Sequence, residues 1–124
     1  MAANDVAGIS GSISFSVKTY DSLCLIGTPI NYPNPFKPAH GQSTTLRYTL
    51  SQDADITIML YDITGKHIWR RSYVAGTSGG AIGQNEISWN GYTDFSNRVG
   101  NGVYIYFITS GSKVLGNGQI AVYN

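Results

Sequence analysis

Gly76-Thr77-Ser78-Gly79-Gly80 spells G-x-S-x-G, the spacing that seats a nucleophilic serine on a strand-to-helix elbow. An elbow needs a helix behind it. Here small and flexible residues surround the serine and no helical period follows, so the segment reads as a loop. His40 and His67 are the only histidines, and Cys24 is the only cysteine. None is spaced with an acid as metal ligands would be, and both histidines read as exposed polar residues. Cys24 lies in Leu23-Cys24-Leu25-Ile26 and reads as a small buried hydrophobe. Asp53 and Asp55 stand together without the further ligands of a calcium loop. Gly116-Asn117-Gly118-Gln119-Ile120-Ala121 imitates a dinucleotide turn, but the helix and second strand it needs have no room after it. The seven acids fall mostly near turns, and no two stand out as the carboxylate pair of a glycoside hydrolase. The expectation is a protein that is not an enzyme, with no catalytic residue, no metal site and no cofactor.

Binding is the better prospect for chemistry. Trp69, Tyr73, Tyr92, Tyr104 and Tyr106 could build an aromatic platform on a sheet, and sugars stack on such faces. In Lys66-His67-Ile68-Trp69-Arg70-Arg71-Ser72-Tyr73, neighbours Ile68 and Trp69 cannot share a face of a regular strand. One of them must be exposed or meet a neighbour, which makes Trp69 and Tyr73 candidate surface-binding residues, with polysaccharide as a possible partner. The plainer alternative is cross-strand pairing at a sheet edge.

Strands must position these residues. The chain has 13 Ile, 10 Thr, 7 Val and 9 Tyr, which suit a pleated surface. It has 15 Gly, 13 Ser and 9 Asn, which suit turns. One Glu and four Lys are too few for the wet faces of amphipathic helices. Apolar residues alternate in Ser12–Val17, Thr45–Leu50, Asp55–Tyr61 and Glu86–Trp89, the period of half-buried strands. Leu23–Ile26 and Val103–Thr109 are apolar on both faces, and Val114–Tyr123 holds a last strand. Gly116 and Gly118 there predict a bulge or a close backbone approach. Asp62-Ile63-Thr64-Gly65-Lys66 is a tight hairpin. Seven or eight short strands spaced this way predict an all-β, antiparallel two-sheet sandwich.

Hydrophobic residues are 42% of the 124 and charged residues 12%, the reverse of a disordered chain. A net charge of +1 leaves no basic stripe for nucleic acid. No apolar run approaches the ~20 residues of a membrane span. Met1-Ala2-Ala3-Asn4-Asp5 has neither the basic nor the apolar region of a leader. The chain is therefore expected to be intracellular, or a mature or expressed fragment.

Three ordered motifs then stand out. The first is Tyr32-Pro33-Asn34-Pro35-Phe36. The second is Tyr61-Asp62-Ile63-Thr64-Gly65-Lys66. The third runs Trp89-Asn90-Gly91, Asp94, Val99, Gly102-Val103-Tyr104-Ile105-Tyr106. This series resembles the Ig-like domain of the flagellar hook-capping protein and the C-terminal sorting domains of type IX secretion. The resemblance covers about residues 30 to 124. It implies an Ig-like or fibronectin III-like sandwich on an extracellular or surface bacterial protein. Asn90 stands where the family usually has Asp, Ser96 and Asn97 where a Gly is usual, and no lysine follows Lys113. By their own chemistry, Pro33 and Pro35 predict an edge segment and Phe36 a plug at the end of the core. Trp89 predicts a core anchor with its N–H paired, Asn90-Gly91 a turn, and Asp94 a tie within its own loop.

The chain thus divides into residues 1–28, an N-terminal strand region, and residues 29–124, the sandwich. The first part would supply extra strands, a linker, or a strand through Ile13, Phe15 and Val17 that adds to a neighbouring copy. The expected function is a non-catalytic structural module for anchoring, sorting or assembly. Its partners would be other domains of a parent chain or other copies of itself. The alternatives are a filament or surface-array subunit joined by strand addition, and a carbohydrate-binding accessory of a secreted hydrolase.

Overall fold

The alternating segments form strands. A computed structural model describes residues 22–124, and the expected strand through Ile13, Phe15 and Val17 lies outside them. Seven strands follow in chain order: β1 (Ile30–Tyr32), β2 (Thr44–Leu50), β3 (Ile56–Tyr61), β4 (His67–Tyr73), β5 (Gly83–Trp89), β6 (Gly102–Ser110) and β7 (Lys113–Val122). They pair antiparallel into two sheets, β1-β2-β5 and β4-β3-β6-β7. The all-β two-sheet sandwich read from the alternation is the architecture of the molecule.

Each sheet turns its alternate row inward. Thr44, Leu46, Tyr48 and Leu50 of β2 are buried, as are Ile56, Ile58 and Leu60 of β3. Tyr104, Tyr106 and Ile108 of β6 meet Ile87 and Trp89 of β5 in one continuous core. The buried Tyr48 hydroxyl donates to Gly79 O at 2.6 Å, so the one polar end of that ring is satisfied. Burial pushes its pKa well above the ordinary phenol value.

Two stretches depart from the expected elements. Leu23–Ile26 makes a single bridge, Leu25 to Leu50, rather than a strand. Gly27 at φ +79° followed by Pro29 ends the pairing, since Pro offers no ladder donor. Leu23 and Leu25 still pack against the core, while Cys24 is half-buried rather than inside it. Strand β5 begins at Gly83, three residues before the expected start, with Asn85 facing inward.

The glycines of β7 mark close approaches. Gly118 lies opposite Tyr106, and a Cβ at 118 would overlap the Tyr106 phenol. Gly116 leaves the same kind of space for the Leu25 side chain. Between them and the hairpin, the register slips at Ile108/Thr109, leaving Leu115 as an extra residue. Gly118→Ala must therefore displace a buried ring. It is expected to cost about 1–3 kcal/mol, read as a lower urea midpoint at unchanged slope.

Candidate functional site

The first and third motif segments and strand β4 converge on Trp89. Its ring centroid lies 5.6 Å from Phe36, 6.2 Å from Trp69 and 6.0 Å from Tyr104. The indole N–H donates to Tyr92 O at 3.0 Å. That carbonyl is in reach because the chain reverses just after the strand. Asn90 Oδ1 accepts from Tyr92 N at 3.1 Å, and Gly91 adopts φ +83° against Pro38, where any Cβ would clash. The Tyr104 hydroxyl closes the far end of the loop on Gly100 O at 2.7 Å. Ser96 holds φ +67°, a region L side chains enter at a cost.

Asp94 does not tie its loop to itself. Its carboxylate reaches strand β4, accepting from Arg70 N at 2.9 Å and from Arg71 Nη1 at 2.7 Å. Its own N–H donates to Ile68 O at 2.9 Å. Strand β4 is an edge of the four-stranded sheet, so Asp94 occupies the outward groups that a further strand would use.

Asn34 does the same at the opposite edge. Its Oδ1 accepts from Ala121 N at 2.7 Å, and its Nδ2 donates to Gln119 O at 3.3 Å. Phe36 continues the pairing, donating its N–H to Ala121 O and accepting from Tyr123 N, both at 3.0 Å. The peptide bonds before Pro33 and Pro35 are both cis. Phe36 is fully buried. Tyr32 donates its hydroxyl to Glu86 and accepts from Arg47, which also pairs with Glu86 at 2.8 Å. The Tyr32 hydrogen bond first, then Arg47, holds the Glu86 carboxyl below its ordinary range.

In the hairpin, Asp62 Oδ1 accepts from Thr64 Oγ1 at 2.6 Å, and from Thr64 N and Lys66 N at 3.0 Å each. Gly65 sits at φ +90°, which an L side chain would resist. These bonds, the Thr64 hydroxyl foremost, lower the Asp62 pKa.

Trp69 is only 4% exposed and Ile68 6%, so both neighbours face the core. The register slip at Leu60/Tyr61 pairs Leu60 with Trp69 and Tyr61 with His67. Ile68 is the extra residue of this bulge, and a bulge suspends alternation. Trp89 covers one side of Trp69, and the Arg71 guanidinium lies 4.9 Å from its ring centroid. The candidate surface platform is therefore corrected: Trp69, Tyr104 and Tyr106 are core residues. Tyr73 is half-buried and packs where a Cβ on Gly79 would sit.

The G-x-S-x-G loop closes on itself. Gly76 N donates to Gly80 O, and Gly80 N to Thr77 O. Buried Asn85 organises it, accepting from Gly79 N and Ala81 N while donating to Ala81 O and Gly83 O. Asn85 was missed in the sequence, though its inward slot in the alternation Asn85, Ile87, Trp89 was a signal. Asp53 and Asp55 act likewise, accepting from Ile82 N at 2.7 Å and Ala75 N at 2.8 Å. Among the described residues, no group of three His, Cys, Asp or Glu could hold a metal ion.

The outer face of the four-stranded sheet is different. Met59, Tyr61, Ile105, Phe107 and Val114 line a trough of about 420 Å³, with Asp62 and Gly65 at one end. The Tyr61 and Phe107 rings meet edge-on at 5.6 Å.

No protein-family model matches this chain, and no curated protein matches it. Solved structures do. PorZ of Porphyromonas gingivalis, an essential bacterial surface component of the type IX secretion system, is 25% identical over 77% of this chain, with a TM-score of 0.54. The chain spans only 11% of PorZ. An immunoglobulin-like protein of Pseudomonas aeruginosa is 14% identical over 82% of this chain and 97% of its own, at TM-score 0.54. The fold is Ig-like. FlgD of Pseudomonas aeruginosa shares it too, 14% identical over 86% of this chain and 76% of its own, at TM-score 0.56.

Two predictions follow from the polar ties. Asn34→Ala and Asp94→Ala each strip a sheet edge of two or more hydrogen bonds. Each is expected to cost about 1–3 kcal/mol in urea unfolding and to raise self-association in light scattering. Asp62 carries a pH signature. Its folded pKa is depressed, so its contribution is complete above the unfolded carboxylate range and lost as pH falls through the folded value. Wild type should exceed Asp62→Asn in stability at neutral pH, and the gap should close as the solution is acidified below that range.

Proposed function

We propose that this chain is a non-catalytic Ig-like structural module of a secreted or cell-surface bacterial protein, serving anchoring, sorting or assembly. One observation carries the reading. The polar side chains of the motif series, Asn34, Asp62, Asn90 and Asp94, are bonded to backbone groups that close turns and edges. Residues spent on shape leave the module to act through its surface and its attachment.

The neighbours support this placement. PorZ is a surface component of a secretion system, and the matched region is a small fraction of its length. An Ig-like unit there is one piece of a longer chain, which is the role proposed here. The partners would then be proteins: the parent chain's other domains and the assembly that receives it. A sugar platform on Trp69 is not part of the proposal, because that ring lies inside the sandwich.

Labelling of intact cells with an antibody to residues 22–124 tests the reading in the bacterium that encodes the chain. Bound antibody on unpermeabilised cells, lost after protease shaving, is the expected result. Signal only after permeabilisation would overturn the surface assignment.

A further inference from the structure

Strand β5 is an edge of the three-stranded sheet, and β2 fixes which of its backbone groups face outward. Ser51 N donates to Cys24 O at 3.0 Å and Ile26 N to Thr49 O at 2.9 Å. Thr49 and Ser51 thus turn their backbone groups away from β5. Direction alternates along an antiparallel ladder, so Thr44, Leu46, Tyr48 and Leu50 turn theirs toward it. Their partners are Trp89, Ile87, Asn85 and Gly83, with no register slip. Gln84, Glu86 and Ser88 therefore point N–H and C=O off the edge. Nothing among the described residues bonds to them. Such a row is a template for another strand.

A cavity of about 210 Å³ opens where the end of β5 lies beside β4. Ser43, Trp69, Arg71, Ser88, Trp89 and Asn90 line it, with no acid among them. Arg71 Nη1 donates to Asp94 at 2.7 Å and to Arg70 O at 2.6 Å. Its Nε and Nη2 have no partner among the described residues. Those two donors form one side of the guanidinium fork, the geometry that holds a carboxylate at two points.

We propose that the β5 edge takes an extended, acidic peptide segment of a partner protein as an added antiparallel strand. One carboxylate side chain of that segment is seated in the cavity at Arg71. This deepens the reading of the chain as a module with protein partners. In antiparallel pairing, the partner residues bonded to Gln84, Glu86 and Ser88 share their outer face. The residue between two of them, opposite Ile87, turns inward to the seam between β5 and β4. Main-chain bonds supply the affinity, and the side chain in the cavity supplies the selectivity.

A second copy suits this site less well. Its own inward β5 side chains, Asn85, Ile87 and Trp89, are buried in its own core and cannot enter the cavity. Pairing about Glu86 would also set two glutamates opposite each other, which is destabilising. The other edges differ. On β4, Asp94 occupies Ile68 O and Arg70 N. On β7, Leu25 and Pro29 fill the inner side at Gly116.

The test uses the full chain and a tagged, end-blocked heptapeptide, Thr-Val-Thr-Glu-Thr-Val-Thr. Binding should shift the amide resonances of Gln84, Glu86 and Ser88 and slow their hydrogen exchange. Glutamine in place of the central glutamate should weaken binding about tenfold. Arg71→Gln should erase that difference, with cooperative unfolding as the check on its fold. Methyl groups on the nitrogens of the two threonines flanking the glutamate should abolish binding. A methyl group on the glutamate nitrogen, which faces away from β5, should not. The protein is unaltered in that comparison, so misfolding cannot produce the result. Binding that ignores the glutamate, or that shifts Lys113 to Asn117 instead, overturns the proposal. So does protection of the same three amides that grows with protein concentration alone, which would place a second copy on the edge. Peptide binding and surface labelling are read separately, so the failure of one leaves the other standing.

Discussion

Burying the Trp89 indole imposes a chain of requirements. The ring is 1% exposed and touches Phe36, Trp69 and Tyr104, which come from the β1 exit, β4 and β6. An indole N–H inside a core needs an acceptor, and the one it finds is the carbonyl of Tyr92, three residues on. The strand must therefore stop at once and reverse. Asn90 supplies the side-chain acceptor that shapes the reversal, and Gly91 the backbone freedom beside Pro38. The reversed loop is then carried across to β4, where it delivers Asp94. One hydrogen bond in the core thus sets the position of a carboxylate on the edge.

The edges explain why that delivery matters. An open sandwich leaves unpaired N–H and C=O groups along its outer strands, and many proteins protect them with charged residues. This chain has four lysines and a single glutamate. It uses short polar side chains as substitutes for a strand instead. Asn34 presents a donor and an acceptor from one carboxamide, matching Gln119 O and Ala121 N. Asp94 combines its carboxylate with its own N–H, matching Arg70 N and Ile68 O. In both cases the backbone that carries the side chain is pinned by aromatic packing, through Phe36 on one side and Trp89 on the other. A polar plug held by an apolar anchor is less mobile than a lysine.

Much of this was legible in the sequence, and the failures share a cause. Alternation is a local property, and it located β2 and β3, whose own residues alternate without interruption because the extra residue of the bulge, Ile68, lies on β4. It failed at Ile68 and Trp69, where a bulge opposite Leu60 and Tyr61 turns two neighbours to one side. The groups that stabilise the bulge belong to Asp94, more than twenty residues away, so no window around Trp69 contains the reason. Asp94 itself was recognisable as a turn residue, but its partner was not, since a carboxylate accepts equally well from its own loop or from another strand. The glycines of β7 predict a bulge or a close backbone approach; a bulge lies beside them, and what approaches the glycines themselves is the side chains of Tyr106 and Leu25, which no local window contains.

Strand β6 shows how a correct reading can leave a remainder. It is apolar on both faces, the pattern of a strand buried between two layers. The sandwich supplies one layer, to which Tyr104, Tyr106 and Ile108 turn. Ile105 and Phe107 turn the other way and remain half-buried only because they lean on Met59 and Tyr61. A β-hairpin loop and neighbouring rings shield part of that row, but they cannot replace a layer. In a two-layer fold, a two-sided apolar strand is therefore a count of layers as much as a sign of centrality. The surplus on β6 falls on the side away from the Trp89 core, so the work of closing the sandwich and the work left for its outer face rest on different residues.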